Sequence, residues 1–226
     1  MTTDAPGAVL LDADGTLLDS TYLHVTAWAE AFEQAGHPVD AWRIHRRIGM
    51  DSKRIVAELL GDRAEELGER VKQEHADRYE ALAAQRLRRL DGVHELLCAL
   101  RERGLRVVLA TSAPPNELRH VRRVLDAEDL LDAVTAAEDV DSAKPDPDLV
   151  AVALDRAGVP PERAVFLGDA VWDAVACERV GVRCVGVLTG GISAAELREA
   201  GAVAVYDSVV DLLDRLDDSV IAELTR

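Results

Sequence analysis

At 226 residues, 48% of them hydrophobic, the chain can bury one good core and a small second domain, and it is not obliged to oligomerise. Its 42 acidic residues against 26 basic ones leave a formal charge of −16, a field that opposes nucleic acid and anionic membranes, so an anionic substrate needs a locally positive pocket. Cys98, Cys177 and Cys184 lack metal-ligand spacing, the opening residues carry no basic or long apolar segment, and no uncharged apolar run approaches the ~20 residues of a membrane span; these features point to buried thiols in a soluble, cytoplasmic protein and away from disulfides, zinc or a membrane anchor.

The first predicted element is a short apolar strand within residues 8–20. It ends in Asp12 and Asp14, one residue apart, followed directly by Gly15 and Thr16. Two acids at the exit of a buried strand are costly and persist mainly where a cation or a reaction uses them. Gly15 permits a sharp turn that keeps both carboxylates near one point. From residue 20 to about 89 the spacing is helical without convincing strands, over His24–Ala35, Ala41–Arg47, Ser52–Leu60 and a long charged stretch from Ala64 to about Arg88. This block reads as a helical domain, residues 20–89, inserted into a core made of residues 1–19 and 90–226. Trp28 and Trp42 are expected in the core of that insertion.

Beyond it, a helix over Asp91–Arg103 precedes short β-type runs at 105–110, 133–137, 164–167, 184–188 and 203–206. Helices over Pro147–Ala157 and Trp172–Val180 end at Gly158 and Gly181, and an amphipathic helix runs from Val209 onward. Strands alternating with helices predict an α/β fold, a Rossmann-like three-layer core with a parallel sheet, carrying the all-helical insertion as a cap.

Polar groups fall just past predicted strand ends or in nearby loops, where open α/β sheets bind ligands. Thr111 and Ser112 follow the 105–110 strand, where hydroxyls and backbone N–H groups at a helix start can hold a phosphate oxygen or simply cap the helix. Lys144, in Ser-Ala-Lys-Pro-Asp-Pro-Asp, is stiffened by Pro145 and Pro147, which favours a positioned charge over a solvated one. Gly168-Asp169 closes a strand and Asp173 lies four residues on, at a helix start where it can cap the helix or support a metal ligand.

In order and content these sites resemble the four motifs of the haloacid dehalogenase superfamily: Asp12 with Asp14, then Thr111, then Lys144, then Gly168-Asp169 with Asp173. The resemblance spans almost the whole chain and is to the helical-cap subgroup containing phosphoglycolate phosphatases and β-phosphoglucomutase. It implies that Asp12 attacks phosphorus and becomes an aspartyl-phosphate, while Asp14 protonates the leaving oxygen and later activates water. It further implies Mg²⁺ held by Asp12, the Asp14 backbone carbonyl and Asp169, with Asp173 close by, while Thr111, Ser112 and Lys144 bind the phosphoryl oxygens. The implied partner is a small phosphorylated metabolite, and a monomer or weak homodimer suffices.

Asp14 separates the chain from the dehalogenases, which carry a different residue there. Gly168 separates it from the mutases, which show Glu-Asp in the fourth motif. A phosphatase is expected, with a β-phosphoglucomutase-type phosphomutase as the alternative and a catalytically idle binding protein as a third reading that predicts loss of a motif residue. His24 matches a histidine of the mutase cap entrance that many phosphatases share. The mutase's distal-phosphate arginine falls at Ser52, with Lys53 and Arg54 nearby, and its cap lysine at His75. Arg46, Arg47, Lys53 and Arg54, with His24, are the candidates for gripping an anionic substrate. Leu90-Asp91-Gly92 stands where many relatives place a proline before the glycine.

Overall fold

The computed structural model describes residues 6–140 and 144–225. Strands β1 (Ala8–Leu11), β2 (Arg106–Ala110), β3 (Ala133–Thr135), β4 (Ala164–Gly168), β5 (Arg183–Val187) and β6 (Ala202–Tyr206) form one parallel sheet in the order β3-β2-β1-β4-β5-β6. Both faces of the sheet are covered, so its central strand is apolar on both sides. The two-residue period sends Val9 and Leu11 into one core cluster with Leu97, Leu109 and Leu167, and Ala8 and Leu10 into the other with Phe166, Leu149 and Cys177.

The chain steps outward from β1 to β2 and β3, then returns to β4 on the other side of β1. The crevice above the carboxyl ends of β1 and β4 is therefore the point where strand order reverses. Leu11 pairs level with both Leu109 and Leu167. The three strands end within one residue of one another, and Asp12, Thr111 and Asp169 leave the sheet along one edge.

Between β1 and β2 lie α1 (Thr21–Gln34), α2 (Ala41–His45), α3 (Ser52–Leu60) and α4 (Ala64–Arg86). They share a core of their own, built on Trp28, Phe32, Ile44, Ile55, Leu59 and Val71, with a second patch where Leu23 and Ala27 meet Tyr79 and Ala83. The two connections to the sheet are tied together: Asp19 donates to the Arg88 carbonyl at 2.9 Å and Leu90 to that of Leu17 at 3.0 Å.

Helices α5 (Val93–Glu102), α6 (Pro115–Leu125), α7 (Asp148–Ala157), α8 (Val171–Val180), α9 (Ala194–Glu199) and α10 (Val209–Asp214) complete the layers. Most sequence-derived elements lie within a few residues of those observed. Three expectations need correcting. Trp42 is 66% exposed, because in the five-residue α2 the inward position belongs to Ile44 and a residue two places earlier points about 200° away. The last helix stops at Asp214, since the following turns bring Leu216, Ile221 and Leu224 back into the core. Cys98 is only half-buried, whereas Cys177 and Cys184 are buried. Ser142 and Ala143 of the lysine loop lie outside the described residues. Among the described residues, no helix is long and apolar enough to cross a membrane.

Candidate active site

The backbone N–H of Asp12 continues the ladder by donating to the Leu167 carbonyl at 2.9 Å, which places its carboxylate at the reversal point, 5% exposed. Gly15 then takes φ +76°, and the amides of Leu17 and Leu18 return to the Ala13 carbonyl at 2.9 Å, closing a tight turn. A side chain at Gly15 would also strike Asp169, its Cβ falling 2.3 Å from Asp169 Oδ2. Asp14 has partners of its own: its Oδ1 accepts from the Ser20 hydroxyl at 2.5 Å and lies 3.4 Å from His24 Nε2. Burial pushes the Asp14 carboxyl up, but the His24 charge and the His24 and Ser20 hydrogen bonds outweigh it and leave it below its usual value. His24 rises in turn, because Asp14 overcomes the burial penalty on the imidazolium.

Lys144 is 1% exposed, bonded through Nζ to Asp12 and lying 2.8 Å from Asp173 Oδ1. Burial opposes its charge, but these two carboxylates raise its pKa above the usual lysine value and keep it protonated. Asp173, in the first turn of α8, accepts through its other oxygen from the amides of Asp169 at 3.2 Å and Ala170 at 3.0 Å. Asp169 accepts from the Thr16 hydroxyl at 2.9 Å, so the first acidic turn holds the last motif in place.

Asp12, Asp169 and Asp173 bring carboxylate oxygens within 4.8 Å of one another. Burial, offset in part by Lys144 and reinforced by Asp173 and Asp14, pushes Asp12 up to about 7. Burial and then Asp12 and Asp173 push Asp169 well above its ordinary value. Such crowding is relieved by a divalent cation. The cradle for one is visible at Gly190, where a Cβ would stand 1.7 Å from Asp169 Oδ2. Asp173 already serves Lys144 and two amides, so Asp12 and Asp169 are the carboxylates with capacity for a metal, and the Asp14 side chain is held by Ser20 and His24. Gly190→Ala is expected to displace Asp169, lowering the melting temperature and weakening divalent-cation binding by about 10- to 100-fold. Unaltered divalent-cation binding would contradict this placement.

A cavity of about 460 Å³ opens between this cluster and the helical insertion, lined among others by Asp12, Asp14, His24, Lys144, Ser112 and Glu117. Thr111 is fully buried and its hydroxyl oxygen accepts from the Ala113 amide at 3.1 Å, shaping the turn, while Ser112 faces the cavity. Of the basic residues singled out from sequence, Lys53 lines the cavity. Arg46 pairs with Glu196, Arg47 with Glu58 at 3.0 Å and Arg54 with Asp146 at 3.4 Å. Ser52 and His75 line the cavity as well, as do Lys72 and Glu117, which the sequence reading did not single out. The insertion is docked against the core: His45 donates to the Gly190 carbonyl at 2.8 Å, Trp172 to that of Arg46 at 3.3 Å, and the Asp51 amide to the Lys144 carbonyl at 3.2 Å.

Comparison with known proteins bears on this arrangement. Residues 6–181 match the family model described as haloacid dehalogenase-like hydrolase. The chain belongs to that family. A relative named phosphorylated carbohydrates phosphatase, from Thermotoga maritima, is 32% identical over 204 residues, covering 87% of this chain and 92% of its own. The N-acetylmuramic acid 6-phosphate phosphatase of Pseudomonas aeruginosa is 30% identical, over 93% of this chain and 94% of its own. A crystal structure of a hydrolase from Pseudomonas syringae superposes with a TM-score of 0.88 at 36% identity, covering 94% of this chain and 98% of that one. Fold and family thus agree with the resemblance drawn from the four motifs.

Proposed function

We propose that this chain is a Mg²⁺-dependent phosphatase that hydrolyses a small phosphate monoester in two steps, with Asp12 as nucleophile and Asp14 as general acid and base. The observation that carries the reading is the division of labour between the two acids. Asp12 sits against Lys144 at the carboxyl end of β1, whereas Asp14, two residues on, is held by Ser20 and His24, outside the Asp12, Asp169 and Asp173 cluster.

In the first step Asp12 forms a bond to phosphorus as the ester oxygen leaves, and Asp14 passes to that oxygen a proton taken from His24, which lies 3.4 Å away and holds it in the folded protein, so that a poor leaving alkoxide departs as an alcohol. In the second, Asp14 takes a proton from the water that attacks the aspartyl-phosphate. Lys144 balances charge on the transferring phosphoryl oxygens, and the backbone of the turn that Thr111 shapes offers them hydrogen bonds. Asp12, the Asp14 carbonyl and Asp169 would hold Mg²⁺, which supplies charge neutralisation and orientation for the phosphoryl group. Residues 20–89 serve as the cap that excludes water from this site, residues 1–19 and 90–226 as the catalytic core. The protein acts in the cytoplasm as a monomer or weak homodimer on a free metabolite, its acidic surface disfavouring nucleic acid and anionic membranes.

Two features favour hydrolysis over a mutase reaction. The glutamate of the mutase motif has no room at position 168, where a Cβ would meet Asp173 Oδ2 at 2.4 Å. A mutase must also grip a second phosphate, and Arg47 and Arg54 are already paired with acids. The purified protein is therefore expected to release phosphate from p-nitrophenyl phosphate with Mg²⁺, to lose that activity with a chelator and regain it with Mg²⁺, and to form no glucose 6-phosphate from β-glucose 1-phosphate primed with the bisphosphate. Chelator-resistant hydrolysis, or isomerisation with little phosphate release, would overturn the reading.

A further inference from the structure

Glu117, in the first turn of α6, is 7% exposed and lines the cavity. Its nearest partner of possible opposite charge among the described residues is His75, whose Nδ1 lies 4.0 Å from Glu117 Oε1, too far for a hydrogen bond. Burial and the neighbouring His24 charge hold the His75 pKa well below its usual value, so His75 carries no charge to offer. The other ring nitrogen of His75 lies 3.1 Å from His24 Nδ1, and the ring stacks on Trp28 at 3.9 Å, which fixes it in place. Glu117 is thus a buried carboxyl with no hydrogen-bond partner among the described residues and only the more distant His24 charge to offset it, an arrangement that costs a protein stability unless something outside the chain completes it. Burial pushes it up to about 7, with His24 pulling it down and Asp14 pushing it up.

A second orphan stands on the same wall. Ser112 Oγ is buried, has no hydrogen-bond partner, and belongs to a cavity-lining residue. The same lining includes Ile48, Met50 and Ile55 beside Lys53 and Lys72, the latter paired with Glu69 at 2.6 Å. An acceptor and a hydroxyl at Glu117 and Ser112 suit an uncharged alcohol portion that bears hydroxyl groups. A carboxylate placed against Glu117 would meet it with like charge.

We propose that Glu117 and Ser112 form a specificity site that selects phosphate esters of neutral polyols and rejects esters whose alcohol carries a carboxylate, phosphoglycolate among them. The proposal rests on the phosphatase reading above and extends it to the substrate class. Glu117 accepts a substrate hydroxyl, Ser112 exchanges a hydrogen bond with another, and neither takes part in the transfer to Asp12.

Glycerol 3-phosphate and 3-phosphoglycerate test this as a matched pair, since they differ in CH₂OH against carboxylate on the same carbon chain. With Mg²⁺ present, the wild-type protein is expected to favour glycerol 3-phosphate in kcat/KM by about a hundredfold. Glu117→Gln should lower kcat/KM for glycerol 3-phosphate by about tenfold and raise it for 3-phosphoglycerate, and Ser112→Ala should lower the former more than the latter. Opposite responses to the two esters cannot arise from damaged folding. A wild-type protein that favours 3-phosphoglycerate, or a Glu117→Gln variant that lowers both by one factor, overturns the specificity site while leaving the phosphatase reading intact if p-nitrophenyl phosphate is still hydrolysed. Absence of hydrolysis of p-nitrophenyl phosphate by the wild type overturns both.

Discussion

Asp12→Asn is expected to abolish turnover, by about 10⁴-fold or more, while leaving the fold and much of the phosphate affinity in place. The amide matches the carboxylate in shape, so the Leu167 ladder bond and the packing under Lys144 persist, but it cannot form an acyl-phosphate. Its effect on stability should depend on pH. Folding raises the Asp12 pKa to about 7, so the folded state binds its proton more tightly than the unfolded chain does. That contribution is fully present below the unfolded carboxyl pKa and is lost as pH rises through about 7. At pH 8 and without metal the ionised carboxylate costs the wild type stability that it keeps at pH 5, whereas the amide carries no such pH dependence but loses the pairing with Lys144 at every pH. Melting curves in chelator should therefore place the variant higher relative to the wild type at pH 8 than at pH 5. Near-wild-type turnover, or a stability difference that stays the same between the two pH values, would remove Asp12 from this role.

Asp14→Asn should impair the protein in a way that depends on the leaving group. A general acid contributes about 10²- to 10⁴-fold when the departing alkoxide needs a proton, and far less when the leaving group is an activated phenolate. Rapid-mixing experiments should therefore show slow phosphorylation by an alkyl phosphate and nearly normal phosphorylation by p-nitrophenyl phosphate. Slowed dephosphorylation should then give a nitrophenol burst approaching one equivalent per active site. The hydrogen bonds of Ser20 and His24 account for the selectivity, since they hold this side chain outside the Asp12, Asp169 and Asp173 cluster, whose own contacts the change leaves in place. Equal impairment of phosphorylation by both esters would refute the assignment.

The sheet and the four motifs were legible because both are written locally. A parallel strand buried on two faces must be a short apolar run, as at 8–11 and 164–168, and an acid pair before Gly15 has few structural uses. Lys144 stood out through its flanking prolines. The cavity wall was not legible in the same way. Glu117 reads as an ordinary acid in the first turn of a helix, and Lys72 as one more charge on the long α4. Only the packing of α4 against α6 converts Glu117 into a buried group without a hydrogen bond among the described residues. The arginines fail for the same reason in reverse: Arg46 and Arg54 look available to a substrate until the fold brings Glu196 and Asp146 to them from 150 and 92 residues away. Trp42 was misjudged because a five-residue helix has one inward position, and nothing local says that Ile44 takes it.

The central claim is that the phosphoryl group passes through Asp12 before it reaches water, and the stereochemistry at phosphorus tests it most directly. A substrate made chiral at phosphorus with sulfur and oxygen isotopes should yield thiophosphate with retained configuration, because two successive in-line displacements each invert the centre. Inversion would mean that water attacks the ester directly, and would contradict the account.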